Sequence, residues 1–336
     1  MFATRSPGSA PAVVLSIAAT LLPTALLAED PTTACVSETT LGVGLPAISM
    51  TFAGCDGVSR PSGNALDELS GLTAVAGSSW LWTLSDSKEN LYRSDENGGI
   101  GSNDQGNKID LGDDGSDLEG VVEVDGALYA VEERAYTVVV TPNNDPDPSP
   151  RTHDIQAVAC DDPDSAELCT YLDASASNDR FEGITFTGDV FYIVKEKNPG
   201  LLLAVDPTFT TIIDYWVLNC GSYGGACPSN HPFPNTVGGS TQDFSGLSWD
   251  VDSGLLWIAS DKAGAVFLYD PIQQTYSTYP LTVTSGDTCS LVPTTANQCI
   301  QQAEGVAVVD GDVLRVVNDR SHSDNTIIYE YTITRP

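Results

Sequence analysis

Residues 179–200 read DRFEGITFTGDVFYIVKEKNPG. Two short apolar runs flank a Thr-Gly-Asp turn, and charge closes both ends, Asp-Arg before the first run and Lys-Glu-Lys after the second. Short runs of β-branched and aromatic residues broken by a glycine turn read as a β-hairpin. The hairpin recurs four times, as ELSGLTAVAGSSWLWTLSDSK (68–88), DLEGVVEVDGALYAVEER (117–134), DFSGLSWDVDSGLLWIASDK (243–262) and QAEGVAVVDGDVLRVVNDR (302–320). The shared glycines, Gly71, Gly120, Gly183, Gly246 and Gly305, are 49, 63, 63 and 59 residues apart. Repeats on this scale build solenoids, arrays or propellers, and the strand periodicity excludes a helical repeat.

Each hairpin is followed by a third strand-like segment: LYRSD, TVVVTP, LLLAVDP, VFLYDP and IIYEYTI. A fourth precedes the next repeat in NKIDLG, DIQAVA, IIDYWVL and TYSTYPLTV. Four strands make one propeller blade, so the chain reads as an all-β, five-bladed β-propeller of four-stranded antiparallel blades. The fifth unit stops after its third strand. AISMTFAG (47–54) is available to supply the fourth, closing the ring at the N-terminal strand and leaving no open sheet edge.

The N-terminal region carries one charge, Arg5, within its first 28 residues, then the apolar run AVVLSIAATLLPTALLA. That run is short for a membrane span and ends on a small residue, so we expect a signal peptide over 1–28, cut after Ala28, and a secreted or periplasmic protein. Residues 29–46 then form an N-terminal extension and 47–336 the propeller. With 46 acidic and 14 basic residues in 336, the net charge is −32. Such a surface repels nucleic-acid phosphates and anionic lipid headgroups and attracts divalent cations. No membrane span is expected once the signal is removed, and the protein is expected to be a monomer. The eight cysteines fall into four close pairs with no metal-binding spacing, and in an exported chain they read as disulfides: Cys35–Cys55, Cys160–Cys169, Cys220–Cys227 and Cys289–Cys299.

In a propeller the start of a blade's first strand and the end of its second lie side by side at one mouth of the axial channel. Two sets of side chains are thereby expected there. The first is Glu119, Glu182 and Glu304, with Ser70 and Ser245 in the matching positions. The second is an acid at the end of every hairpin, each followed by a base: Asp86 with Lys88, Glu133 with Arg134, Glu196 with Lys197, Asp261 with Lys262, and Asp319 with Arg320. These pairs have two readings, inter-blade salt bridges or groups that bind a ligand at the channel mouth. The repeated glycine likewise serves either site or packing, because a crowded axis calls for one. Carboxylates gathered around a narrow channel repel one another and call for a cation or shared protons. Calcium, which takes six to eight oxygen ligands, suits a ring of Glu, Ser and carbonyl oxygens.

At these residues the sequence resembles the SdiA-regulated family of bacterial propeller proteins, distantly related to the NHL-repeat propellers. The likeness runs from about residue 64 to 334, and its most specific part is Phe-Glu-Gly…Val-Lys-Glu-Lys-Asn-Pro. The resemblance implies a five-bladed propeller with a bound calcium ion and a role in binding a ligand or protein, with no established reaction. It carries the metal to Glu119, Glu182 and Glu304, and to Asp243.

No GxSxG elbow, HExxH or phosphate loop is present. His153, His231 and His322 fall in expected loops, and the acid-rich stretches DDGSDLE (113–119) and DDPDSAE (161–167) read as solvated connections. The expected function is that of an exported calcium-binding module for a small ligand or a protein. The alternative is a calcium-dependent hydrolase of the lactonase, phosphoesterase or phytase-like esterase kind, with Glu133 or Glu196 as base and Arg134, Lys197, Lys262 and Arg320 holding an anionic substrate.

Overall fold

A computed structural model describes residues 39–41, 45–57, 69–75, 77–85, 90–94, 108–110, 117–142, 150–174, 179–237, 239–283, 300, 302–318 and 327–336. Five antiparallel sheets follow one another along the chain. Blade one comprises Leu69–Ala74, Leu81–Ser85, Asn90–Ser94 and Lys108–Asp110. Blade two comprises Leu118–Val124, Ala127–Glu132, Thr137–Pro142 and Arg151–Asp154, and blade three Phe181–Phe186, Phe191–Lys195, Gly200–Val205 and Ile212–Asn219. Blade four comprises Gly246–Asp250, Leu255–Ser260, Ala265–Asp270 and Thr275–Pro280. Blade five takes Ala303–Val309, Val313–Asn318 and Ile327–Thr334 from the end of the chain and Ser49–Gly57 from its beginning. Ser49 pairs with Thr334 and Gly57 with Ile327, so the N-terminal strand closes the ring as the sequence predicts.

The hairpins form where turn chemistry and apolar runs agree. In blades two and five the turn is Asp-Gly, with Asp125 and Gly126 at φ 51° and 80° and Asp310 and Gly311 at 51° and 77°. Two successive residues with positive φ twist the hairpin in the same sense as its strands. The buried side chains of neighbouring blades merge into one apolar cluster at each of the five interfaces, including that between blades five and one, where Leu69, Leu72 and Leu81 meet Ala307, Val309 and Val317.

Three local expectations are corrected. DIQAVA is not the outer strand of blade two. That strand is Arg151–Asp154, and Ile155–Asp161 is a helix, α1, capped by Asp154, which accepts from the Ala157 N–H at 2.8 Å. A second helix, α2 (Ala166–Asp173), follows, and Ile155, Ala159, Leu168, Tyr171 and Leu172 pack into the interface between blades two and three. His153 consequently lies in a strand, its ring 4.9 Å from that of Phe209, rather than in a loop. Residues Thr39–Leu41, inside the expected extension, pair with Thr278–Tyr276 and give blade four a fifth strand.

The expected disulfides Cys160–Cys169, between α1 and α2, and Cys220–Cys227, in the connection from blade three to blade four, are both formed. Cys55 is disulfide-bonded as well. Cys35, Cys289 and Cys299, with residues 1–28 of the expected signal, lie outside the described residues.

Candidate functional site

The inner strands touch in a closed cycle around the axis, and the five repeated glycines are the contact points. A Cβ on Gly71 would sit 2.5 Å from the Glu119 carbonyl oxygen, on Gly120 2.6 Å from the Gly183 Cα, and on Gly183 2.8 Å from the Leu247 nitrogen. On Gly246 it would lie 2.2 Å from the Glu304 carbonyl oxygen, and on Gly305 2.5 Å from that of Ser70. Each glycine thus abuts the backbone of the next blade, which settles its packing role. The axial space they border is too narrow to seat a water molecule.

Beside this constriction the carboxylates collect. In blades one, two, three and five the pairing register slips at the residue before the glycine, a bulge in the inner strand. In blades two and three the hairpin end is pinned across from it: the Glu133 N–H donates to the Asp117 carbonyl and the Glu196 N–H to the Arg180 carbonyl, both at 2.7 Å. Two trios result, each with one oxygen per residue within 4.8 Å of the others: Glu133, Glu182 and Glu196, and Asp117, Glu119 and Glu133. Glu133 belongs to both. It is 4% exposed and Glu182 8% exposed.

The electrostatics follow from this crowding. Burial, then the Asp117 charge, pushes the Glu133 carboxyl up to about 8. Burial pushes Glu182 far above the usual carboxylate range, reinforced by Glu119, Glu196, Glu304 and Glu133 in that order. Burial raises Glu196 to about 7, against the lowering pull of Lys197. Three acids placed so close cannot all ionise in a buried setting without positive charge among them.

Each described hairpin-end base pairs with an acid of its own blade. Arg134 Nε lies 2.8 Å from Asp117, Lys262 pairs with Asp261, and Lys197 pairs with Glu196 and, at 3.5 Å, with Asp179. What crosses between blades is a backbone donor to the hairpin-end acid: Arg180 N–H to Glu133 at 3.5 Å, and Gln302 N–H to Asp261. Asp243 accepts from the Ser260 hydroxyl at 2.8 Å and the Lys262 N–H at 3.1 Å, and burial raises its carboxyl ahead of the effect of Asp261. Its charge reaches Glu196, as that of Glu304 reaches Glu182, yet neither residue joins a trio. Asp86, Lys88, Asp319 and Arg320 lie outside the described residues.

Three participants were not anticipated. Asp117, read as part of a solvated acidic connection, is half-buried in the second trio. It stands two residues before Glu119, the register at which Asp243 precedes Ser245, and that equivalence would have found it. Asp179 seats the second arm of Lys197 and is held by the Asn198 side-chain amide at 2.9 Å. Lys195 has no exposed surface. Its ammonium donates to the Lys197 carbonyl and, at 2.8 Å, to the Pro199 carbonyl, and burial lowers it to about 7.

Residues 58–321 match the family described as SdiA-regulated. Among solved structures, the Myxococcus xanthus glutaminyl cyclase superposes with a TM-score of 0.51 at 11% identity, over 87% of this chain and 100% of that one. A calcium-binding protein, regucalcin, from Agrobacterium tumefaciens gives 0.43 at 14% identity, over 83% of this chain and 93% of that one. Identities this low speak to the propeller fold alone. No curated protein matches the chain.

Proposed function

The chain belongs to the SdiA-regulated family, and on that premise we propose that it is an exported, calcium-binding propeller that presents its carboxylate-lined mouth to a small ligand or a protein. The observation that carries this reading is the trio of Glu133, Glu182 and Glu196 within 4.8 Å. All donors in the set are carboxylate oxygens, which suit a hard cation rather than zinc or copper. Glu133, Glu182 and Glu196 would hold the ion, with Glu119 and Asp117 beside them and Glu304 and Asp243 supplying charge from blades five and four. A bound divalent cation supplies the positive charge that lets these acids ionise together, and in a hydrolytic role it would polarise an ester or phosphoryl oxygen.

Export is supported by the two described disulfides, since such bonds persist in oxidising compartments. Among the described residues no helix is long and apolar enough to cross a membrane. In the hydrolytic alternative, Arg134 beside Asp117 and Lys197 beside Glu196 would hold an anionic substrate next to the ion.

A thermal melt in EDTA and again with excess calcium tests the binding role. Calcium is expected to raise Tm in the wild type and not in Glu182→Gln. An equal Tm in both conditions for the wild type removes the reading. A panel of lactones and phosphoesters then separates the two roles, turnover lost in Glu182→Gln favouring the hydrolase.

A further inference from the structure

Five hairpins end on an acid followed closely by a base, and in blades two and three that base lies on a member of a carboxylate trio. In blade two, Arg134 lies on Asp117, a member of the second trio, but its side chain is 56% exposed. In blade four, Lys262 pairs with Asp261, which belongs to neither trio. In blade three the Lys197 ammonium lies directly on Glu196, a member of the trio with Glu133 and Glu182, and its side chain is only 27% exposed. A positive charge covalently tied to the chain therefore already sits against the cation-binding oxygens.

That ammonium has a second seat. Asp179 lies 3.5 Å from the Lys197 nitrogen, and it is fixed by the Asn198 amide at 2.9 Å. Asn198 in turn accepts from the Ser222 N–H and hydroxyl, both at 2.7 Å, in the loop closed by Cys220–Cys227. The alternative carboxylate is thus held in place by a neighbouring connection. The Lys195 ammonium binds the Lys197 carbonyl, fixing the backbone from which the Lys197 side chain swings.

We propose that Lys197 is a specificity-determining residue, a built-in monovalent cation that shares Glu196 with the incoming ion and moves onto Asp179 when a divalent ion binds. The inference rests on the proposed calcium site. An ion of charge one gains no more from Glu196 than the ammonium it must displace, whereas an ion of charge two gains about twice as much at equal distance. Sodium and potassium are thereby excluded and calcium is admitted. Removing the ammonium lowers the threshold for every cation. Removing Asp179 strands the displaced ammonium and raises the threshold.

The test is calcium titration by calorimetry on the full chain, wild type against Lys197→Met, Lys197→Arg and Asp179→Asn, each at about 20 mM and about 300 mM NaCl, roughly fifteenfold apart in screening ions. Lys197→Met is expected to bind calcium roughly fivefold to tenfold more tightly at low salt and to lose that gain at high NaCl, because sodium now competes. Replacing NaCl by tetramethylammonium chloride should restore the gain, which separates sodium binding from screening. Lys197→Arg should stay near the wild type, and Asp179→Asn should bind more weakly. A residue with only a structural role would weaken binding in Lys197→Met and Asp179→Asn alike. Equal or weaker calcium binding by Lys197→Met, with the wild type binding normally, overturns the inference and leaves the calcium site standing. No calcium binding by either protein removes both. Binding by Lys197→Met alone supports the inference most directly.

Discussion

Stripped of metal by EDTA, the protein should lose stability as the pH rises from 5 to 7. Glu133 is raised from 4.5 to about 8 and Glu196 to about 7, both by burial first, and Glu182 is raised further still by burial and its acidic neighbours. These carboxyls keep protons in the folded chain that the unfolded chain sheds above its ordinary carboxylate range. The folded state binds more protons, so its stability falls with pH by about 1.4 kcal/mol per unit for each proton retained. Over two pH units one retained proton is worth ~2.7 kcal/mol, and two are worth ~5 kcal/mol. Lys195 acts in the opposite sense. Lowered to about 7 by burial, it adds stability with rising pH only above that value, while His153, lowered from 6.5 by burial and then by the Arg151 charge, offsets part of the acids' slope within the interval. Urea unfolding at pH 5, 6 and 7 in EDTA measures the slope, with a constant m-value required for the comparison. Glu133→Gln should flatten part of the slope, and saturating calcium should abolish it. A stability that is level or rising across the interval in EDTA would refute the reasoning, because the acids would then already be ionised without a cation.

Two further outcomes follow from the packing. Gly246→Ala places a methyl group 2.2 Å from the Glu304 carbonyl oxygen, backbone that cannot step aside, and should cost at least ~2–3 kcal/mol by urea melt. Gly224→Ala, where nothing lies within 4 Å, is its control and should change little. On blades four and five, Arg335 pairs at 2.7 Å with Asp250, whose side chain has no exposed surface. Arg335→Met removes the cation from that acid but leaves it the Ser253 hydroxyl at 2.8 Å and the Asp252 N–H at 3.1 Å, and should cost ~1.5–3 kcal/mol, with Arg335→Met/Asp250→Asn recovering a part in the same melts.

The architecture was legible because its signals are local and repeated. A glycine turn between two apolar runs, five times over, names the blade, and a first strand without a fifth-blade partner names the closure. DIQAVA misled because a short apolar run carries no decisive period. Its helical marks, Ile155 and Ala159 four apart behind the capping Asp154, are the weaker pattern in six residues. Glu119, Glu133, Glu182 and Glu196 could be gathered on paper, since strand pairing brings hairpin ends together. Lys195 could not. It reads as one more solvated charge in Lys-Glu-Lys, and its burial depends on two carbonyls, of Lys197 and Pro199, that the turn folds back over it. Nor could the sequence say whether a hairpin-end base leans on its own acid, as Lys197 does on Glu196, or on another, as Arg134 does on Asp117, because that choice is made by side-chain rotation rather than register.

The closing strand Ser49–Gly57 also sets an order of events during synthesis. It is made early, but its partner, Ile327–Thr334, is made some 270 residues later. Until those residues exist, blade five lacks its third strand, the early strand has nothing to pair with, and the interfaces on either side of blade five stay open. Holding so long a chain segment in a closed circuit costs on the order of 5 kcal/mol of loop entropy, recovered only when the last strand docks. A chain cut short anywhere before residue 327 is therefore an incomplete circle with exposed sheet edges, open to proteolysis.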